Sequence, residues 1–304
     1  MKIIGLWLSD YYSGSTDERF VNPLKSLGHY VDVVNLSSPS CTSDLMKKVE
    51  KNNYDFLINV PYRDFMSTEI IRHISFKTKT KTILWNGDDD WEINQNPQLH
   101  ERNAISHNYI VTTFERAMPY YDRIGMKGRV YLESWGFSKS DLFKKRTKKD
   151  TDIYFCGART PERDYYLRAL READLNPVFE GAGYTNKKIS LSQMIDNYRR
   201  AKIGLNFTFS TKDQFSYSQV KARNFEIPAL GTFQLSEDAL EMNRFFKSGK
   251  NIETFTTAFG MIEKIKFYLK NPKKREAIAK EGYKAVQKFS YENIFKRIFE
   301  RIQK

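Results

Sequence analysis

The most informative stretch of the chain is KARNFEIPALGTFQL, residues 221–235. It reads as a helix with two cations, Lys221 and Arg223, and then a carboxylate, Glu226. The helix ends before Gly231, and the apolar residues that follow predict a buried strand. In one interpretation the cations contact a diphosphate, and Glu226 accepts hydrogen bonds from the two hydroxyls of a ribose. In the other, this is an ordinary amphipathic helix whose charges face water.

Outward from this stretch, short apolar runs alternate with amphipathic segments of helix length. In the first half of the chain the predicted strands are Lys2–Leu8, Tyr30–Leu36, Tyr54–Pro61, Lys81–Gly87, Asn108–Phe114 and Gly128–Trp135. In the second half they are Asp152–Gly157, Pro177–Gly181, Lys202–Phe207, Gly231–Leu235 and Asn251–Phe255. Such alternation predicts parallel sheets covered by helices. The fold class is therefore α/β, with two Rossmann-like domains and a helical C-terminal tail.

The composition fits two folded domains, since the 304 residues are 40% hydrophobic and 29% charged. No stretch has the roughly eighteen uncharged apolar residues that a membrane span needs, and the first residues do not resemble a signal peptide. Two cysteines, Cys41 and Cys156, are too few for a disulfide framework or a Cys-rich zinc site. We expect a cytoplasmic protein.

The formal net charge of +13 is concentrated in two places. Lys139–Lys149 carries a net charge of +5, and residues 238–304 carry +8. The stretch Phe143–Asp150 lacks apolar periodicity and reads as a linker between the domains. Both basic regions suit a solvated linker and solvated helix faces. They also suit a nucleic acid or an anionic membrane, so peripheral contact with the inner face of the membrane stays open.

Several motifs in the second half resemble group 1 (family 4-like) glycosyltransferases, in particular the branch of CgeB-like spore maturation proteins. The residues that carry the resemblance are Phe155-Cys156-Gly157, Arg163, Lys202–Phe207, Arg223, Phe225-Glu226, Ala229, Gly231 and Gly249-Lys250. They occur in the order of the family and lie within residues 152–290, about half of the chain.

The resemblance implies a GT-B fold, in which two Rossmann-like domains face a cleft and the C-terminal one holds a sugar nucleotide. The implied domains are residues 1–140 for the acceptor, residues 150–287 for the donor, and a final helix, 290–304, that packs back on the first. Glu226 would bind the ribose, and Arg163 and Lys221 would neutralise the diphosphate. The predicted donor-binding residues are Gly14, Gly157, Arg159, Asn206, Arg223, Glu226, Gly231 and Thr232, of which Thr232 would lie near the phosphates.

One residue departs from the family pattern. Many group 1 enzymes have a second glutamate eight residues before the ribose-binding one, and it contacts the donor sugar. Here that position is Ser218. The sugar contact is therefore altered, or supplied by a neighbour such as Tyr217 or Gln219.

Three aspartates, Asp88 to Asp90, follow the predicted strand Lys81–Gly87. CgeB-like proteins have a similar sequence here, which implies that Asp88 or Asp89 orients an acceptor hydroxyl or the donor sugar. The predicted catalytic residues are thus Asp88, Asp89, Lys221 and Arg163. Carboxylates at a strand's carboxyl end also bind Mg²⁺ or Mn²⁺, so a metal-dependent GT-A-like transferase is an alternative. A third interpretation is an aspartate that caps the next helix.

Gly14, in the loop after the first strand, allows close backbone approach to a ligand near a helix N-terminus. The surrounding Ser-Gly-Ser sequence is equally typical of a flexible loop.

The sequence thus predicts a hexosyl-transferring glycosyltransferase that uses a nucleotide-sugar. The resemblance implies retention of configuration and no required metal or other cofactor. The acceptor is a glycan, a lipid-linked glycan or a protein, and a nucleic acid stays open. A hypothesis from another class is a degenerate GT-B module that binds a nucleotide or a partner without transfer, and Ser218 motivates it.

Overall fold

A computed structural model describes residues 1–9, 16–61, 66–142, 147–186, 188–212 and 215–304. These residues form two compact units. The first holds the described residues up to Trp135 together with Tyr291–Lys304, and the second holds those of Gly136–Ser290. Gly14 and the first half of the predicted linker Phe143–Asp150, residues 143–146, lie outside the described residues.

The first unit is built on a six-stranded parallel sheet. Its strands are β1 (Lys2–Trp7), β2 (Tyr30–Asn35), β3 (Phe56–Asn59), β4 (Lys81–Asn86), β5 (Tyr109–Thr112) and β6 (Val130–Leu132), in the order β2-β1-β3-β4-β5-β6. Its helices before the second unit are α1 (Thr16–Ser26), α2 (Cys41–Lys51), α3 (Thr68–Lys77), α4 (Asp89–Gln95), α5 (Pro97–Ser106) and α6 (Met118–Arg123). The strands are apolar because helices cover both of their faces.

The second unit has a five-stranded parallel sheet and a separate hairpin. The sheet strands are β7 (Thr151–Cys156), β8 (Pro177–Glu180), β9 (Ala201–Asn206), β12 (Phe233–Glu237) and β13 (Glu253–Phe255), in the order β13-β12-β9-β7-β8. The antiparallel hairpin is β10 (Phe209–Lys212) and β11 (Phe215–Ser218). The helices are α7 (Pro161–Glu172), α8 (Leu191–Arg200), α9 (Arg223–Ala229), α10 (Ala258–Lys270) and α11 (Pro272–Val286).

The last helix, α12 (Tyr291–Gln303), completes the core of the first unit. Its apolar face packs on the sheet through Phe295, whose ring centroid lies 5.4 Å from that of Phe20 and 5.6 Å from that of Trp85. Arg297 adds a polar anchor, since its Nη2 lies 2.6 Å from the carboxylate of the buried Glu133. The chain therefore returns to its first unit after completing the second.

The predicted fold class is confirmed by these two parallel-sheet, Rossmann-like units and the helical C-terminal end. The hairpin β10–β11 was not predicted. In the part of the chain that is described, no helix is both long enough and apolar enough to cross a membrane.

Candidate functional site

In the second unit, the strand order places the crevice for a ligand between β7 and β9. From β7 the chain moves outward to β8 on one side, whereas β9, β12 and β13 extend the sheet on the other. In open α/β sheets, ligands bind beyond the carboxyl ends of the strands at such a switch point. The residues that follow β7 and β9 are therefore the first candidates for a binding site.

Arg163 stands beside this crevice, in the first turn of α7. Thr160 caps the helix by accepting a hydrogen bond from the Arg163 N–H at 3.3 Å. The half-buried guanidinium donates to the Ala158 carbonyl at 2.6 Å and lies 5.3 Å from the centroid of the Phe155 ring. Among the described residues, no carboxylate forms an ion pair with it, and its buried Nε lacks a hydrogen-bond partner. Burial lowers the pKa of Arg163, and the nearby carboxylates of Glu237 and Glu162 only partly offset this effect.

Gly157 makes room for the Phe155 ring, against which this guanidinium lies. A Cβ at Gly157 would lie 2.6 Å from the Phe155 ring and 3.4 Å from Nη1 of Arg163. Gly181, after β8, has a φ of 114°, and a Cβ there would lie 2.4 Å from the Gly157 carbonyl oxygen. Arg159 is in the same loop but turns to the surface, where its Nε donates to Asp164 at 2.8 Å. Gly157 and Arg163 therefore shape the crevice, whereas Arg159 is held by a surface ion pair.

The start of α9 reaches the same edge of the sheet with an internal ion pair. Arg223 and Glu226 pair through Nη1 and Oε2, and their side chains are 14% and 8% exposed. Burial by itself would lower the pKa of Arg223, but the Glu226 carboxylate outweighs it and the pKa is raised. The ammonium of the half-buried Lys221 lies 4.6 Å from the centroid of the Tyr217 ring. The first turn of α9 thus holds a buried carboxylate paired with Arg223, and Lys221 lies two residues before the helix.

Asn206 positions this helix. It is buried at the end of β9, where its Nδ2 donates to Asn224 Oδ1 at 3.0 Å and to Ser236 Oγ at 3.1 Å. Asn224 Oδ1 in turn accepts the Lys221 N–H at 2.9 Å. We predicted that Asn206 binds the donor directly. In the structure the Asn206 amide is engaged in the network that fixes the Lys221 backbone, and donor binding by Asn206 stays a prediction.

Gly231 and Thr232 lie at the opposite edge of the sheet. Both precede β12, and Gly231 has a φ of 70° at the turn that follows α9. Thr232 is buried, donates to the Tyr198 carbonyl at 2.7 Å and accepts from Lys149 Nζ at 3.1 Å. The predicted donor set is therefore corrected, because these two residues do not come together with Arg163 and Lys221.

In the first unit, Asp88 and Asp89, which follow β4, lie in different environments. Asp88 is half-buried at the N-cap position of α4 and makes no side-chain capping bond. Asp89 is fully buried, and its carboxylate accepts hydrogen bonds from the hydroxyls of Thr112 and Tyr121. The prediction that Asp89 contacts a substrate hydroxyl does not fit this placement. The side chain of Asp90 is outside the description.

Asp89 is instead expected to make the stability of the first unit depend on pH. Burial raises the pKa of Asp89 to about 7, although His100, with its Nε2 at 3.8 Å, and the two hydroxyls favour the ionised form. The unfolded chain loses this proton near pH 4, whereas the folded chain keeps it until about pH 7. The contribution of Asp89 to the free energy of unfolding therefore falls as the pH rises through this window, by up to about 4 kcal/mol.

The variant Asp89→Asn cannot titrate, so its stability deficit relative to the wild type should shrink between pH 5 and pH 8. Urea unfolding at both values, followed by tryptophan fluorescence, measures this difference. Asp88→Asn is the control, and its free energy of unfolding should change with pH as that of the wild type does. An Asp89→Asn deficit that is the same at both pH values contradicts the prediction.

Among the described side chains, no group of three or more His, Cys, Asp or Glu residues is arranged to hold a metal ion. The side chain of Asp90 is not among those described.

Comparison with known protein families gives a match that spans most of the second unit and most of α12. Residues 159–300 match the model of a family described as glycosyl transferase-like. Among curated proteins, none matches this chain.

Solved structures match over the whole chain. HepE from Anabaena, solved with UDP and glucose, has a TM-score of 0.71 at 10% identity, covering 100% of this chain and 99% of its own. Sucrose-phosphate synthase from Thermosynechococcus elongatus has a TM-score of 0.67 at 11% identity, with the same coverage. An alpha-glucosyltransferase, solved with UDP and a 13-mer DNA, has a TM-score of 0.68 at 15% identity, again over 100% and 99%.

At these identities the structural likeness shows the fold alone. The fold is GT-B, which confirms the prediction from sequence. Together, the family match of the second unit and this fold support a glycosyltransferase.

Proposed function

We propose that this chain transfers a hexosyl group from a nucleoside-diphosphate sugar to an acceptor hydroxyl. The observation that carries the proposal is the half-buried guanidinium of Arg163, which lacks a carboxylate partner among the described residues and stands at the switch point of the second sheet. A desolvated cation at this place suits a diphosphate, which binds a planar guanidinium through two oxygens. UDP is the favoured nucleotide, because HepE and the alpha-glucosyltransferase share this fold and were solved with UDP.

In the proposed reaction, the bond between the anomeric carbon and the diphosphate oxygen breaks, and its electron pair leaves with the nucleoside diphosphate. The acceptor oxygen forms the new bond to the anomeric carbon, and its proton passes to the leaving diphosphate, so the products are the glycoside and the nucleoside diphosphate. Negative charge therefore develops on the leaving diphosphate, where Arg163 and Lys221 supply fixed positive charge. Glu226 would accept the ribose hydroxyls, and its pairing with Arg223 holds it in place.

The finer assignments rest on the order of the sequence motifs. The order of these motifs supports a place in the CgeB-like branch. That branch in turn implies retention of configuration and independence of a metal cofactor. Asp88, in the first unit, is the proposed acceptor-orienting carboxylate that remains after Asp89 is placed in the core.

The proposed acceptor is a glycan, a lipid-linked glycan or a protein. One structural neighbour was solved with DNA, but residues 1–138 of this chain carry a net charge of −1. A duplex acceptor would need a positive docking surface, so we place nucleic acid behind the other acceptors.

A second candidate is a nucleotide-binding module without transferase activity. The specific observation that favours it is Ser218, which stands where a sugar-binding carboxylate is expected. Only the enzyme hypothesis predicts release of the nucleoside diphosphate from a sugar nucleotide in the presence of an acceptor.

A thermal-shift screen tests the proposal with UDP, GDP, ADP, CMP, TDP and their common sugars, in EDTA and in Mn²⁺. One nucleoside diphosphate should raise the melting temperature of the wild type equally in both, because a ligand at a hundredfold excess over its Kd stabilises by about 2.7 kcal/mol. The variant Glu226→Gln should lose this shift.

Glu241→Gln is the matched control for this screen. Glu241 also pairs with an arginine three residues away, Arg244, and has a similar exposure of 9%. If its shift is lost as well, the effect of Glu226→Gln is general destabilisation. A wild type that responds to no nucleotide would overturn the proposed function, and a response only in Mn²⁺ would favour metal-dependent chemistry.

A further inference from the structure

A groove of about 450 Å³ opens beside Ser218, at the carboxyl end of β12. Its lining consists of Ser218, Asp238, Ala239, Leu240 and Asn243. It begins three residues before Lys221, so it is continuous along the chain with the start of α9. Nothing in the sequence pattern pointed to Asp238 or Asn243.

Three hydrogen bonds hold the backbone of Asp238 in place. Its N–H donates to the Phe255 carbonyl at 2.9 Å, and its carbonyl accepts from Thr208 Oγ1 at 2.7 Å and Ser218 Oγ at 3.2 Å. The carboxylate itself receives one short contact within the described chain, from the Ala239 N–H to Oδ1 at 3.0 Å. The side chain is exposed, so a rigid backbone presents one carboxylate oxygen with open capacity to accept hydrogen bonds.

The rest of the lining combines a polar group with an apolar surface. Asn243 is exposed, and its amide makes no hydrogen bond within the described residues. Leu240 is 63% exposed and gives the groove an apolar surface. A pyranose has hydroxyls around its edge and C–H groups on its faces. It therefore matches a carboxylate and an amide placed next to an exposed leucine.

The groove also bears on the missing carboxylate at position 218. Tyr217 and Gln219, which the sequence suggested as substitutes, are only 8% and 4% exposed. Both side chains are therefore largely buried, and a sugar contact by either of them stays a prediction. The hydroxyl of Ser218 donates to the Asp238 carbonyl, so the short side chain at 218 ties β11 to the loop that carries Asp238.

We propose that this groove is the subsite for the sugar of the donor, and that Asp238 and Asn243 bind its hydroxyls in place of the carboxylate that position 218 lacks. This inference rests on the proposed function. A carboxylate accepts from two vicinal hydroxyls, and an amide can both donate and accept, so the pair selects a sugar by the orientation of its hydroxyls.

The test compares the affinity for free UDP with that for a panel of UDP-sugars, by calorimetry on the full chain. The wild type should bind one UDP-sugar about tenfold or more tightly than UDP. Asp238→Ala and Asn243→Ala should bind that UDP-sugar no better than UDP, while their affinity for UDP stays within about twofold of the wild type. Asp238→Asn keeps the shape and loses the charge, so its affinity for the UDP-sugar should lie between those of Asp238→Ala and the wild type. Glu263→Gln, an exposed carboxylate on α10, is the control and should behave as the wild type.

Three further outcomes would overturn the inference, and they are distinguishable. If the wild type and all variants prefer the same UDP-sugar equally, the sugar lies elsewhere and the proposed transferase survives. If the wild type binds neither UDP nor any UDP-sugar, while GDP, ADP and their sugars also fail, the proposed function falls together with the subsite. Loss of UDP affinity in Asp238→Ala would place Asp238 in the nucleotide site and contradict a sugar subsite.

Discussion

Replacing Arg163 by methionine is expected to lower kcat/KM for sugar transfer by a factor of about 10² to 10³. The loss follows from the chemistry of the leaving group, because removing one fixed donor to developing negative charge in a desolvated site costs about this much. Methionine keeps most of the length and the contact with the Phe155 ring, so packing in the first turn of α7 is largely preserved. The rate of UDP release from the preferred sugar nucleotide, measured with and without acceptor, gives the effect.

Two companion variants separate charge from structure in this experiment. Arg163→Lys keeps a positive charge but loses the planar guanidinium that can bind two oxygens at once. Its activity should therefore lie between those of Arg163→Met and the wild type. Arg168→Met, on the exposed face of the same helix, should retain wild-type activity. Arg163 also donates to the Ala158 carbonyl, so the melting temperature of each variant is measured in parallel. Full activity of a folded Arg163→Met would contradict the assigned role.

The parallel sheets were predictable because strands buried on both faces must be apolar along their whole length. Ile3, Ile4, Leu6 and Trp7 of β1 are all fully buried, which only a sheet covered on both sides allows. The hairpin β10–β11 escaped prediction for the opposite reason. Its sequence, from Phe209 to Ser218, is rich in polar residues, contains no glycine or Asn-Gly turn, and pairs locally outside the main sheet.

The candidate site was predictable where chemistry and position coincide in one element, as at Arg223 and Glu226. The predictions for individual site residues failed where the path of the chain, and not the local sequence, decides where a side chain lies. The residues just after α9 cross to the amino edge of the sheet, which places Thr232 away from Arg163. Asp88 is the N-cap and Asp89 the first residue of α4, and only Asp89 is directed into the core. Asp238 reaches the groove through contacts with Thr208 and Ser218, which are distant in sequence and leave no spacing signal.

Truncating Phe295 to alanine is expected to lower the free energy of unfolding of the first unit by about 3–5 kcal/mol. The side chain is 1% exposed and fills the space between α1 and the sheet, with Phe20, Trp85 and Phe299 around it. A domain of this size has a total stability of about 5–15 kcal/mol, so the loss is a large part of it. The helix that carries Phe295 follows the second unit in the sequence. It stabilises the first unit because the fold returns it to that unit.

The four tryptophans make the measurement of this loss specific. Trp7, Trp85, Trp91 and Trp135 all belong to the first unit, so tryptophan fluorescence in urea reports on that unit alone. Phe295→Leu, which leaves a smaller cavity, should cost less than about 1.5 kcal/mol and gives a readable transition even if the alanine variant does not fold. Phe259→Ala, at a side chain of the second unit that is 75% exposed, is the matched control and should leave the fluorescence transition unchanged. If Phe295→Ala unfolds at the same urea concentration as the wild type, the packing of α12 on the first unit is wrong.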